Sequence, residues 1–319
     1  MSQSRFTPET TRLDDAARAG WLYYVAGNTQ DEIAKKLGVS RQSAQRLVSL
    51  AVSEKLIKVR LDHPIARCMD LSGALRERFG LSLTEVVPTD PTAPELLTGM
   101  AIAAAAELER VLKSPEEKIV ALGTGRALRA CVEQLPRMDC PHHRIVSLLG
   151  NMTSDGSATP YNAVIRMAER VGARHYPYPL PVLVRDPDEL QLMLRQEAVR
   201  NTLDLCARAD LTLVGIGQLD PTAPMLLDGF IEADDLSRLV AEGAAGEITS
   251  WIYDSEGRVM ECDHNSRVAS APLPRPPKRP VVGLAVGPAK VGAIRAALTG
   301  RLVNGLITDE ATAEKLLRS

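Results

Sequence analysis

The sequence predicts an α/β protein in two parts: a small helical N-terminal segment, then a mostly parallel sheet wrapped by helices. Three observations carry this reading. The chain has 319 residues, more than the ~100–200 of a typical single domain. Beyond residue 70, short apolar runs alternate with helical patterns, as in successive βαβ units. The net charge of −2 also hides a split. Residues 1–60 hold ten Lys or Arg against six Asp or Glu, a balance of +4, while residues 61–319 carry −6. A basic segment on an acidic body confines polyanion binding to one end.

Composition excludes several classes. Hydrophobic residues at 45% and charged residues at 24% are those of an ordinary globular protein. Aromatic residues at 3% disfavour a stacking platform for single-stranded nucleic acid. The most apolar short run, Met100–Ala106, is far below the ~18 residues needed to span a bilayer. Met1–Asp15 has no apolar leader core, so neither a membrane nor a secreted protein is expected. Five widely spaced cysteines without a Cys-x-x-Cys pair predict reduced thiols in a cytoplasmic protein. Cys140-Pro141-His142-His143 lacks the second ligand pair of a tetrahedral zinc site, and no metal is expected.

The elements follow in order. Leu13–Ala26 places Ala16, Ala19, Leu22, Tyr23 and Ala26 on one helical stripe, and Gly27-Asn28 stops it. Thr29-Gln30-Asp31-Glu32 is a capping box opening a helix over Gln30–Leu37 that buries Ile33, Ala34 and Leu37. Gly38 makes the turn, Val39 is expected to fill the gap between helices, and Ser40 caps a second helix, Arg41–Ser53. There Ala44, Leu47 and Val48 face inward, leaving Arg41, Gln42, Ser43, Gln45 and Arg46 on the outer side. This is a helix-turn-helix whose second helix offers Arg and Gln, the bidentate partners of guanine and adenine in the major groove. Arg41, Gln42 and Gln45 are the expected base contacts. Lys36, Ser43 and Arg46, with the capping Ser40 beside them, are expected at phosphates. Glu54–Arg60, with Lys55, Lys58 and Arg60, reads as a strand or wing along the DNA backbone. Residues 1–61 are thus a predicted winged helix-turn-helix domain with double-stranded DNA as partner. The alternative is a three-helix packing module with a solvated charged face.

Residues 62–319 form the predicted ligand domain. Strands are expected at Glu85–Pro88, Lys118–Leu122, Arg144–Leu149, Leu211–Ile216, Val281–Val286 and Val303–Thr308. Helices are expected at Pro94–Leu112, Arg126–Gln134, Tyr161–Val171, Asp188–Ala207, Ala289–Leu298 and Asp309–Leu317. Ile248–Tyr253 and Arg258–Cys262 read as a hairpin around Asp254-Ser255-Glu256-Gly257, and Leu273–Pro280 as an extended loop. Asp-Pro-Thr-Ala-Pro occurs twice, at 90–94 and 220–224, suited to two helix entries.

Ligands of such sheets sit at the carboxyl ends of strands near a topological switch point. Gly123-Thr124-Gly125-Arg126 follows a strand and opens a helix, where helix amides, Thr124 and Arg126 supply donors to an anion. It is neither a Walker A loop nor a full Gly-x-Gly-x-x-Gly, since position 128 is Leu, and no cofactor is called for. Lys290, in Gly287-Pro288-Ala289-Lys290, is a cation in a first helical turn, against the helix dipole. Gly217-Gln218, Asn151, Glu247 and Asp263-His264-Asn265 add polar groups suited to hydroxyls. Each of these taken singly also fits an ordinary turn. Asp263 with His264 could form an acid–base pair and Lys290 a Schiff base, but no nucleophile–base–orienter set emerges, so binding is favoured over catalysis.

The chain resembles the SorC family of bacterial sugar-responsive transcriptional regulators, which are DeoR-like with a sugar-binding domain. The residues that carry the resemblance run nearly the full length: Tyr23–Ala34, Leu37–Arg41, Gly123–Arg126, Val214–Gly217, Gly243–Ile248 and Asp263–Asn265. It implies a Rossmann-like effector domain related to sugar-phosphate isomerases and deaminases but without their activity. It also implies homodimers or homotetramers that bind operators near sugar or polyol genes, under control of a small sugar, polyol or sugar phosphate. Carried over, Gly123, Thr124, Gly125 and Arg126 would hold a phosphate or terminal hydroxyl, and Glu247 and Lys290 would complete the pocket. Ala127 departs from the Thr or Ser of many relatives and removes one donor, which leaves room for a free polyol. The alternative is a sugar-phosphate isomerase or deaminase with an accessory helical domain. A nucleotide-dependent oxidoreductase lacks the glycine fingerprint and a ribose acid.

Overall fold

A computed structural model describes residues 8–54, 56–57, 65–93, 96–150, 152 and 161–318. The chain divides into two compact units, Met1–His63 and Pro64–Ser319.

The first unit contains α1 (Pro8–Tyr24), α2 (Gln30–Leu37) and α3 (Arg41–Ser53). Its core is made of small and branched side chains, Ala16, Ala19, Ile33, Ala44, Val48 and Ala51, which let the helices cross closely. The capping box is formed: the Glu32 amide donates to Thr29 Oγ1 (3.4 Å) and the Thr29 amide donates to Glu32 Oε2 (2.7 Å). Gly38 ends α2 in the left-handed conformation (φ 68°), which is strained for any residue with a Cβ. That turn swings Val39 outward, so it stands 36% exposed and does not fill the interhelical gap. Ile33, Ala44 and Val48 fill it instead. Lys55 and residues 58–60 of the expected wing, Lys58 among them, lie outside the described residues.

The second unit opens with α4 (Ala66–Phe79), a helix the sequence reading did not anticipate. Then come β1 (Leu83–Val87), α5 (Thr98–Leu112), β2 (Ile119–Leu122), α6 (Arg126–Gln134), β3 (Arg144–Ser147), α7 (Ala163–Val171) and β4 (Arg174–Tyr176). The chain continues through α8 (Pro187–Leu194), α9 (Glu197–Ala207), β5 (Leu211–Gly215), α10 (Pro224–Leu227) and α11 (Ala233–Ala241). A hairpin of β6 (Ala244–Ile248) and β7 (Trp251–Asp254), α12 (Asp263–Ser266), β8 (Val281–Leu284), α13 (Val291–Thr299), β9 (Gly305–Asp309) and α14 (Glu310–Arg318) complete it.

Seven strands form one parallel sheet in the order β1-β9-β8-β5-β2-β3-β4. β2 and β8 are buried at every position, which is why they read as unbroken apolar runs. From β2 the chain moves out to β3 and β4, then returns to the other side of β2 with β5. The β2–β5 boundary is therefore the switch point, and their carboxyl ends frame a crevice.

Three local expectations change. The single helix over 188–207 is two helices, because Arg195 and Gln196 donate to Leu192 and Met193 three residues back, tightening the turn before Gln196 leaves helical geometry. The hairpin turns at Thr249-Ser250, both with positive φ (50° and 70°), as a two-residue primed turn requires. Asp254–Gly257 is the next turn, held by Asp254 Oδ1 accepting from the Glu256 and Arg258 amides (2.9 Å each). Finally, α5 begins at Thr98 rather than at position 94. The loop histidine His143 is structural: its Nε2 donates to Leu112 O (2.9 Å) and its Nδ1 accepts from the Lys118 amide (3.1 Å). Among the described residues no helix is long and apolar enough to cross a membrane.

Candidate functional site

In the first unit the outer face of α3 presents Arg41, Gln42, Gln45 and Arg46, all exposed. They fall at i, i+1, i+4 and i+5 and so share one side of the helix. The first turn of α3 holds no acidic residue, which leaves its positive end open to phosphate. Ser40 and Ser43 are already engaged with each other: Ser40 Oγ accepts from the Ser43 amide (3.1 Å) and lies 2.9 Å from Ser43 Oγ. Arg41 Nε stands 3.5 Å from Asp31 Oδ1 with both side chains largely in solvent, a pair too exposed to hold the guanidinium against a competitor. Lys36 Nζ donates to Asn28 Oδ1 and remains exposed in the last turn of α2.

In the second unit a cavity of about 300 Å³ opens at the carboxyl ends of β2, β5 and β8. Its walls bring together Thr124, Gly125, Arg126, Gly217, Gln218, Glu247 and Lys290, residues up to 166 positions apart in sequence. The strand-to-helix turns use backbone only glycine adopts readily: Gly125 has φ 105° and Gly287 φ 110°. No side chain caps α6, and the residues of its first turn line the cavity. Thr124 Oγ1 donates to Tyr161 O (3.0 Å), which commits its proton within the protein. Gly123 lies behind the wall, where a Cβ would come 3.3 Å from Thr249 Cγ2.

Glu247 explains Gly217. The two residues exchange backbone hydrogen bonds of 3.0 Å, and a Cβ on Gly217 would lie 2.2 Å from Glu247 Oε1. Glycine here lets the carboxylate lie across the end of β5. Glu247 Oε2 accepts from the Ser250 amide (3.0 Å). Burial pushes this carboxyl above the usual range, against the downward pull of that amide and of the Lys290 ammonium. Lys290 Nζ donates to Ile216 O (2.6 Å), bridging the β5 and β8 ends.

Asp263 is not among the cavity's lining residues. It starts α12, pairs with Arg267 (2.9 Å) and is mostly in solvent. Its neighbours brace the hairpin instead. His264 Nε2 donates to Ser250 O (3.0 Å), and the Asn265 amide bonds Ile252 in both directions, donating 2.8 Å to its carbonyl and accepting 2.9 Å from its N–H. Together they fix the Thr249-Ser250 turn against the cavity. Asn151 lies outside the described residues.

The cavity also contains residues not singled out from sequence. Tyr161 donates to Asp228 Oδ1 (3.3 Å), and both groups are raised by burial. Thr222 belongs to the second Asp-Pro-Thr-Ala-Pro segment, where Asp220 Oδ1 accepts from the Thr222 amide (2.7 Å) and hydroxyl (2.6 Å). Asp90 makes the same turn with Thr92 at 2.8 and 2.7 Å, so the repeated pentapeptide is a repeated local turn, and its second copy was the available signal for this wall.

Residues 63–318 match the family described as "Putative sugar-binding domain". The chain is 34% identical to the erythritol catabolism regulatory protein EryD of Brucella abortus, over 95% of this chain and 96% of that protein. It is 30% identical to the transcriptional regulator LsrR of Klebsiella pneumoniae, over 99% of each. Among solved structures, the full-length sorbitol operon regulator SorC from Klebsiella pneumoniae superposes with a TM-score of 0.71 at 25% identity, covering 95% of this chain and 97% of that one. These relatives are regulators, not isomerases, deaminases or oxidoreductases. The chain therefore belongs to the SorC-type family of transcriptional regulators with a sugar-binding domain.

Proposed function

We propose that this protein is a DNA-binding regulator of carbohydrate or polyol catabolism whose operator affinity is set by a small sugar, polyol or sugar phosphate held at the β2, β5 and β8 strand ends. The observation that carries the proposal is the cavity itself. A switch-point crevice of ligand size gathers a helix N-terminus, two cations and two carboxylates, the mixed polar set that hydroxylated ligands need. The relative named for erythritol catabolism supports a polyol among the candidates. Arg41, Gln42 and Gln45 read bases, while Lys36, Arg46 and Lys58 meet phosphates. Ser40 and Ser43 hold the start of α3 in register. Thr124, Gly125, Arg126, Gly217, Gln218, Glu247 and Lys290 form the effector site, backed by Gly123 and with Asn151 a further member. Asp263 stands outside it, at the exposed start of α12.

The protein works in the cytoplasm as a homodimer or homotetramer, since paired recognition helices match the half-sites of an operator. Ligand binding changes operator affinity through its unequal affinity for two conformations. A thermal-shift screen of sugars, polyols and their phosphates tests the effector site: a true ligand raises Tm in proportion to its concentration over Kd. A flat response to the whole panel removes the sugar-binding reading. Light scattering on the purified protein tests the assembly.

A further inference from the structure

Two side-chain oxygens of lining residues have no hydrogen-bond partner among the described residues, Gln218 Oε1 and Thr249 Oγ1. Both residues are more than nine-tenths buried, at 9% and 8% exposed. A buried polar atom left unpaired is costly and rare, so two on one wall call for a common cause.

The orientation of Gln218 follows from its neighbours. The Thr222 hydroxyl spends its proton on Asp220 Oδ1 (2.6 Å) and therefore accepts from Gln218 Nε2 (3.4 Å). With the amide nitrogen turned to Thr222, Oε1 is the end left without a partner, and it can only accept. The same holds around it. Thr124 Oγ1 has given its proton to Tyr161 O, and the Tyr161 hydroxyl has given its own to Asp228. Glu247 and Asp228 contribute carboxylates. The donors are Arg126, exposed at the rim, the uncapped first turn of α6, and Lys290, one of whose three N–H groups goes to Ile216 O.

We propose that the cavity selects an uncharged, unphosphorylated polyol or sugar, with Gln218 Oε1 accepting from one ligand hydroxyl and Thr249 Oγ1 bonding an adjacent one. This rests on the effector-site reading above and narrows it. A hydroxyl supplies the proton each acceptor lacks and still accepts in return. A phosphate monoester carries close to two negative charges and several acceptor oxygens, so it adds acceptors and charge beside Glu247 and Asp228.

The test is calorimetric titration of the full-length protein with erythritol, ribitol and sorbitol, with the monophosphate of each, and with inorganic phosphate. At least one free polyol should bind, and at least tenfold more tightly than its monophosphate, while inorganic phosphate gives no heat. Gln218→Leu should lower that affinity at least tenfold and, having removed an unpaired buried acceptor, leave the ligand-free Tm equal or higher. A monophosphate binding more tightly than its parent polyol overturns this inference and leaves the effector-site reading standing. Gln218→Leu that lowers the ligand-free Tm and leaves polyol affinity unchanged makes Gln218 a structural residue and overturns it likewise. If nothing in the panel binds, the inference and the effector-site reading fall together.

Discussion

The two units deploy their polar side chains in opposite ways. On α3 the working residues are neighbours in sequence, stand in solvent and keep their hydrogen-bonding ends largely open. In the cavity they come from strand ends far apart, are partly or wholly buried except for Arg126 at the rim, and most are hydrogen-bonded within the protein before any ligand arrives. The first arrangement gives interactions that add up and are screened by salt. The second gives interactions that are strong because water is excluded and costly when one partner is missing. Salt, close packing, single side chains and pH should therefore act differently on the two.

The largest expected contrast is with salt. With about six phosphates contacted by an oligomer, operator affinity should fall on the order of 10³-fold between 50 and 200 mM salt. Affinity for an uncharged ligand should hardly move. Anisotropy and calorimetry over one salt series measure both, and a steep salt dependence of ligand binding would erase the contrast.

Next comes Gly217→Ala. Its Cβ would lie 2.2 Å from Glu247 Oε1, so the carboxylate must leave the end of β5. Ligand-induced thermal stabilisation should disappear, and overpacking should lower stability by ~1–3 kcal/mol. Normal ligand binding in this variant would show that Glu247 is not part of the site. In the first unit, Gln45→Ala should cost ~1–3 kcal/mol on the cognate operator and relax preference at one base pair. An equal loss on every DNA sequence would reassign Gln45 to the backbone.

The contrast also decided what could be read from sequence. The helix-turn-helix was legible because its signals are local: the Thr29–Glu32 box, Gly38 in a left-handed turn, Ser40 as a cap. The buried strands were legible as apolar runs. β4 was not, since it is three residues at the sheet edge, two of them exposed. α4 was not, since no side chain caps its start. The hairpin was misplaced because Thr249-Ser250 takes a conformation usually signalled by Asn-Gly or Asp-Gly, while Asp254–Gly257 carries that kind of signal for the following turn. Of the residues that line the cavity, Gly217, Gln218, Glu247 and Lys290 were legible from their positions at strand ends. Asp228 and Tyr161 sit in connecting segments that only the tertiary structure brings to the cavity, and Asp263 was drawn in by its motif although its neighbours do the bracing.

Two smaller effects sharpen the picture. Thr29→Ala breaks the capping box and should lower stability by ~1 kcal/mol, readable by chemical denaturation. Burial pushes His264 below its ordinary pKa, and burial does the same to His143. The unfolded chain then binds more protons than the folded one below about pH 6.5. Stability should accordingly be full above that value and decline as pH falls through the folded pKa. His264→Gln should flatten part of that decline in a pH series of melting curves, and an unchanged slope would show that His264 is not the group responsible.

Under the proposed function, occupancy of the strand-end cavity sets the affinity of α3 for DNA. The direct measurement is operator affinity by fluorescence anisotropy, on a duplex the protein selects from a random pool, with and without saturating polyol identified by calorimetry. Operator Kd should shift about fivefold or more on ligand saturation, and the shift should be lost in Gln218→Leu. A polyol that binds the cavity tightly and leaves operator affinity unchanged would contradict the proposed function.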